Sequence, residues 1–202
     1  MDFHEVYDSI YSQGLQNEPR KFIEIFTHNR ILIERQSILN DTLISDKIIR
    51  LKSDYAISLA QTESCKKALP EIEQALSLIK ERPQRKNSKL LGNEDYAELL
   101  FARGVVHFRG KQYKKSIQDL GLLAIEFPEN DKYTSWLKNA NAYKLYRIER
   151  AFYFTIVATL FIYLLFDGIH YLFDRFLIVL FAACLISIVV LEIIKWRRTK
   201  TG

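Results

Sequence analysis

Proline and glycine are scarce in this chain, four and seven among 202 residues. No stretch alternates apolar and polar residues for long, so strand-based folds are not expected and the chain should be helical throughout. The few glycines form no phosphate-cradling loop, no serine sits in a nucleophile elbow, and no nucleotide-binding lysine motif occurs. Cysteine is rarer still. Cys184 falls in an apolar run and Cys65 in the charged part, so no disulfide is expected and the usage fits a reducing compartment. Lys66 and Lys67 beside Cys65 would lower a thiol pKa, but no base accompanies them, and both cysteines read as small apolar residues. The four histidines, His4, His28, His107 and His170, have no ligand spacing to one another or to a cysteine. No metal or cofactor is therefore expected. The carboxylate pairs Glu71/Glu73 and Glu94/Asp95 belong on solvated faces or caps, so no catalytic residue is assigned and the chain does not read as an enzyme.

Charge is absent from two long runs, Ala151 to Phe166 and Phe176 to Leu191, each of 16 residues, separated by nine that include Asp167, Asp174 and Arg175. That pattern predicts a membrane hairpin. Sixteen residues make about 24 Å of helix, so crossing a hydrocarbon layer of about 30 Å needs the flanks, Tyr146 to Arg150 and Glu192 to Trp196. Two buried core helices are the bland alternative, and the length, purity and basic flanks of the runs argue against it. Lys144, Arg147 and Arg150 precede the first run, and Lys195, Arg197, Arg198 and Lys200 follow the second. The connecting loop offers only Arg175 and His170, so both termini are expected in the cytoplasm. The first 30 residues carry charges throughout and no apolar h-region, so the bulk of the chain is expected to stay on the side where it is made. A bacterial cytoplasmic membrane is the preferred location for an integral membrane protein this short and rich in Ile and Lys.

Ahead of the runs, apolar residues recur at helical spacing. From an Asn93 cap, Tyr96, Leu99, Leu100, Val106, His107 and Phe108 fall on one face. A second helix from Lys111-Gln112-Tyr113 repeats the pattern at Ile117, Leu120, Leu123, Ala124 and Phe127 until Pro128 ends it. The two predict an antiparallel pair joined by a tight turn at Gly110. Further N-terminal helices are expected at about Asp2 to Ser12 and Pro19 to Leu39, with Pro19 at a first helical position and Phe22, Ile23, Phe26, Leu32 and Ile33 inward.

Leu100, Gly104, His107, Phe108, Tyr113, Ser116, Leu120, Leu123 and Pro128 fall on the spacing of a tetratricopeptide repeat, which this stretch resembles. Arg103 for an apolar residue, Ser116 for alanine and Leu123 for a small residue depart from the pattern. Upstream, Tyr55, Ala56, Leu59, Ala68, Ile72, Ala75 and Leu78 make a weaker match from about Ile48 to Lys80. Pro70 is its awkward member, so that helix is expected to begin later than Cys65 or to kink. Trp136, Ala140, Asn141 and Tyr143, after a cap at Asn130 or Asp131, resemble the first helix of a third repeat. No proline or glycine interrupts Lys132 to Phe166, so that helix is expected to run on into the first apolar run.

The expected fold is thus all-α: a TPR-like helical-repeat solenoid followed by a transmembrane helical hairpin. Residues 1–47 form an N-terminal cap or divergent repeat, 48–148 the repeats, 149–197 the hairpin and 198–202 a basic cytoplasmic tail. The resemblance implies a scaffold that holds a cytoplasmic protein or peptide, for which Tyr96, Arg103 and His107 are the candidate binding residues. Arg82, Arg85, Lys86 and Lys89, in a connector without acids, and Arg147, Arg150, Arg197 and Arg198 beside the runs, are candidates for anionic lipid or an acidic partner. A net charge of +5 is too modest for a nucleic-acid partner. The leading reading is a membrane-anchored adaptor. The alternative is a membrane effector or small channel subunit whose hairpin forms homo-oligomers when the helical domain senses a signal.

Overall fold

The computed structural model describes residues 2–36, 42–62, 65–81 and 90–165, together with Val179, Ala182, Ile186 and Val189. Among the described residues all regular structure is helical: α1 (Phe3–Ser12), α2 (Pro19–His28), α3 (Arg30–Gln36), α4 (Thr42–Gln61), α5 (Cys65–Glu81), α6 (Glu94–Arg109), α7 (Tyr113–Glu126) and α8 (Asp131–Leu165), with short 3₁₀ turns at Leu15–Asn17 and Leu90–Gly92. The chain divides into two compact units, Met1–Ala140 and Asn141–Gly202.

Local chemistry fixes the helix ends of the first unit. Asp2 and Glu5 close a capping box on α1, each carboxylate accepting the other residue's backbone N–H at 2.8 Å. Pro19 opens α2 at its first turn. The single helix expected from Pro19 to Leu39 is instead two, because Asn29 ends α2 by turning its side-chain amide onto the Ile25 carbonyl at 2.9 Å. Asparagine offers the backbone this competing bond and so breaks helices; residues 37–39 lie outside the described residues.

Of the two expectations for Pro70, the later helix start is not taken. The α5 helix begins at Cys65 and carries Pro70 in its interior. The proline leaves the Lys66 carbonyl without its intrahelical donor, but Lys66 and Pro70 are both exposed, so water can serve that oxygen.

The α4 helix lies at the centre, packed on α2, α5 and α6, and from Leu51 to Ala60 nearly every side chain is buried. Phe26 of α2 stacks on Tyr55 of α4 with ring centroids 3.9 Å apart. Arg109 of α6 donates to the Ala60 carbonyl, one of the orphan acceptors at the α4 C-terminus. The α6 helix in turn packs on α5 and α7.

The Asn93 cap forms as expected, its side chain accepting the Tyr96 N–H at 3.1 Å. Between α6 and α7 the left-handed residue is Lys111, at φ +59°, whereas Gly110 has φ −74°. Gln112 N–H bonds the His107 carbonyl and Lys111 N–H the Phe108 carbonyl, a Schellman closure with lysine where glycine is usual. Gly104 sets the approach of the pair, since a Cβ there would lie 2.9 Å from Leu120 Cγ.

Asn130 caps α8, its side-chain oxygen accepting the Lys132 N–H at 3.1 Å. Tyr133 and Trp136 then pack among Phe101, Phe108 and Phe127. The helix continues without a break for 35 residues.

Candidate functional site

Three regions concentrate polar or unpartnered chemistry. The first is the seam between α6 and α7. Arg103 donates twice to Asp119, Nε to Oδ2 at 2.9 Å and Nη2 to Oδ1 at 2.7 Å. This fork raises the guanidinium pKa further, mainly through the Asp119 hydrogen bond and against the cost of burial. One turn on, His107 Nδ1 lies 2.9 Å from Gln112 Oε1, so the ring proton belongs on Nδ1. Burial pushes the His107 pKa below the ordinary value, opposed by Asp119. Ser116 Oγ, fully buried on α7, has no hydrogen-bond partner.

Tyr96, Arg103 and His107 thus share one side of α6, but Tyr96 and His107 are only 9% and 6% exposed. What the trio leaves accessible is the partly exposed Arg103, already engaged by Asp119. Asp119 was not singled out from sequence. Its signal was Arg103 itself, because a guanidinium on an inward face calls for a carboxylate across the interface.

The second region joins α1 to α4. Tyr11 donates its hydroxyl to Asp54 Oδ2 at 2.5 Å. Arg50 lies over the Tyr11 ring at 4.5 Å and Lys47 over the Tyr7 ring at 4.6 Å. Burial holds the Asp54 carboxyl above the usual range, with Asp95 and Glu98 pushing the same way and Tyr11 and Arg50 opposing. The Tyr11 phenol is driven far up by burial and then by Asp54. Nearby, Arg30 bridges Glu34 at 2.7 Å and Glu71 at 3.0 Å, while burial lowers the pKa of Lys52 against the pull of those two carboxylates. Among the described residues no group of His, Cys, Asp and Glu is placed to hold a metal ion.

The third region belongs to the second unit. Tyr143, Tyr146, Arg147, Arg150, Tyr153, Phe154, Val157 and Phe161 are all exposed on α8. At roughly 100° per residue they occupy about a third of the helix circumference. The opposite side carries Leu145, Glu149, Phe152, Ile156 and Thr159, all buried or half-buried. Phe154 is 76% and Phe161 62% exposed. The two threonine hydroxyls are satisfied within the helix, Thr155 donating to the Ala151 carbonyl at 2.9 Å and Thr159 to the Thr155 carbonyl at 2.8 Å. Val179, Ala182, Ile186 and Val189 are helical, exposed and spaced as one stripe.

Among the described residues no helix is long and apolar enough to cross a membrane. The loop between the two runs and most of the second run lie outside them, as do Arg82, Arg85, Lys86, Lys89, Arg197 and Arg198. No known protein family, no curated protein and no solved structure matches the chain.

Proposed function

We propose that this chain is a membrane-anchored adaptor, in which TPR-like helix pairs, α4/α5 and α6/α7, present a surface to a cytoplasmic protein or peptide and the C-terminal hairpin holds them at a bilayer. The observation that carries this reading is the outward face of α8. Phe154, Val157 and Phe161 are largely exposed over successive turns, and each such side chain gains about 1.5–3 kcal/mol when fully removed from water. Lipid supplies that gain without a protein partner. The internally bonded threonine hydroxyls fit a hydrocarbon surrounding, where an unsatisfied donor costs several kcal/mol. Confinement to the membrane raises the effective concentration of whatever the helical unit captures.

Partner capture belongs to the α6–α7 seam of the first unit, with Arg103 as its accessible charged member and Tyr96 and His107 positioning it from within. A photo-crosslinker at Glu73, exposed on α5 and near enough to act on the Arg103 charge, should trap a specific cytoplasmic protein in membranes prepared from cells. The full chain should stay with membranes through an alkaline carbonate wash and leave them only in detergent. Recovery of the intact chain in the aqueous fraction would overturn the anchor.

The exposed stripe Val179–Ala182–Ile186–Val189 favours a second reading, a hairpin that associates with copies of itself, since Ala182 permits close helix contact and the flanking valines and isoleucine offer an apolar face to a second helix. Detergent-stable oligomers that appear only on stimulation, with loss of membrane potential, would select that effector over the adaptor.

A further inference from the structure

On the outward stripe of α8 the residue types are ordered along the axis. Tyr143 and Tyr146 come first, then Arg147 and Arg150, then Tyr153, and only apolar residues at Phe154, Val157 and Phe161. The two arginines are about one turn apart, roughly 4.5 Å along the helix, and Phe154 begins about 6 Å beyond Arg150. Such an order matches the layers of a membrane surface: aromatic rings at the interface, guanidinium groups at the level of phosphate, aliphatic and phenyl groups below. Glu149, the one acid between Tyr143 and Phe161, is buried on the opposite side.

We propose that Arg147 and Arg150 form a headgroup collar that binds anionic phospholipid, with Tyr146 and Tyr153 fixing the depth at which the helix enters. Guanidinium suits this ligand because its planar fork donates to two oxygens of a phosphate or carboxylate at once. The inference rests on the membrane-anchor reading and adds the lipid class that the anchor selects.

The test uses the full-length protein in bilayer discs of phosphatidylcholine containing a minor fraction of phosphatidylglycerol. Lipid retained by the purified protein is extracted and its phosphatidylglycerol-to-phosphatidylcholine ratio measured against the bulk discs. The wild type should enrich phosphatidylglycerol, and the enrichment should fall with added salt. Arg147→Gln/Arg150→Gln should lose about fivefold in relative affinity for each guanidinium removed. Lys66→Gln/Lys67→Gln, an equal change of charge on exposed α5 residues, should leave the ratio unchanged. No enrichment by a wild type that resists the carbonate wash would overturn the collar and spare the anchor, as would enrichment that persists in the arginine double variant. Release of the wild type into the aqueous fraction would overturn both.

Discussion

Replacing Tyr11 by Phe removes one oxygen and tests how α1 is held to α4. The hydroxyl donates to Asp54 at 2.5 Å, and the ring remains for Arg50 to cover. Asp54 keeps its charge near Asp95 and Glu98 but loses its hydrogen-bond donor. A bond to a charged group contributes about 1.5–3 kcal/mol, and Asp54 is partly solvated, so the loss should be about 2 kcal/mol at neutral pH.

The sign with pH follows from the raised Asp54 pKa. The folded state holds that proton more tightly than the unfolded chain, so the contribution to stability is fully present below the unfolded value of 3.8 and is lost as pH rises through the folded value. Removing the tyrosine donor takes away an interaction that lowers this pKa, so the folded value climbs further and the deficit of Tyr11→Phe grows with pH. Asp54→Asn keeps an oxygen for Tyr11 and removes the repulsion from Asp95 and Glu98, so it should be neutral or stabilising at pH 7. In the Asn background Tyr11→Phe should cost only about 1 kcal/mol, a neutral hydrogen bond. Denaturant unfolding of the detergent-solubilised chain at two pH values gives all four corners of the cycle. A Tyr11→Phe cost that is the same at both pH values and in both backgrounds would refute the argument.

Three further outcomes follow from the α6–α7 pair, each read by the same unfolding measurement. Gly104→Ala gains about 1 kcal/mol of helix propensity but forces a Cβ to 2.9 Å from buried Leu120, an overpacking worth about 1–3 kcal/mol, so it should destabilise, whereas Gly121→Ala, with nothing within 4 Å, should stabilise by about 1 kcal/mol. Arg103→Met leaves the buried Asp119 carboxylate unpaired and should cost about 3–5 kcal/mol, most of it recovered in Arg103→Met/Asp119→Leu. Lys111→Gly should stabilise by about 1 kcal/mol, because the left-handed backbone at φ +59° is unstrained only for glycine.

The buried faces were legible because periodicity reports them directly. Of Tyr55, Ala56, Leu59, Ala68, Ile72, Ala75 and Leu78, picked as a match to the repeat spacing, all but the half-buried Leu78 are core residues, as are Leu99, Leu100, Leu120 and Leu123. Caps at Asn93 and Asn130 were legible for a similar reason, since one side chain suffices to close a helix start. The break at Asn29 was not, because the surrounding apolar residues keep helical spacing across it and only the asparagine's competing bond ends the helix. The helix start ahead of Pro70 was open for a different reason: the cost of the proline depends on whether water reaches the freed carbonyl, and that is a property of the packed pair.

Polar partners across helices were the least legible, because they depend on register. Arg103 and Asp119 are 16 residues apart, and Tyr11 and Asp54 are 43 apart. Nothing in their local spacing links them until Gly104 sets the α6–α7 approach and α1 is laid on α4. The first apolar run shows the same limit. As a string it is uniformly uncharged, but on α8 it has two sides, an inward stripe of Phe152, Ile156 and Thr159, which continues Leu145 and Glu149 just ahead of the run, and an outward one of aromatic and aliphatic residues. Hydropathy averaged along a helix cannot separate such sides. The inward stripe carries Thr159 and, just ahead of the run, Glu149, whereas the outward one is apolar; on the proposed anchor, a charge placed outward at Val157 should therefore weaken membrane retention more than the same charge at Thr159.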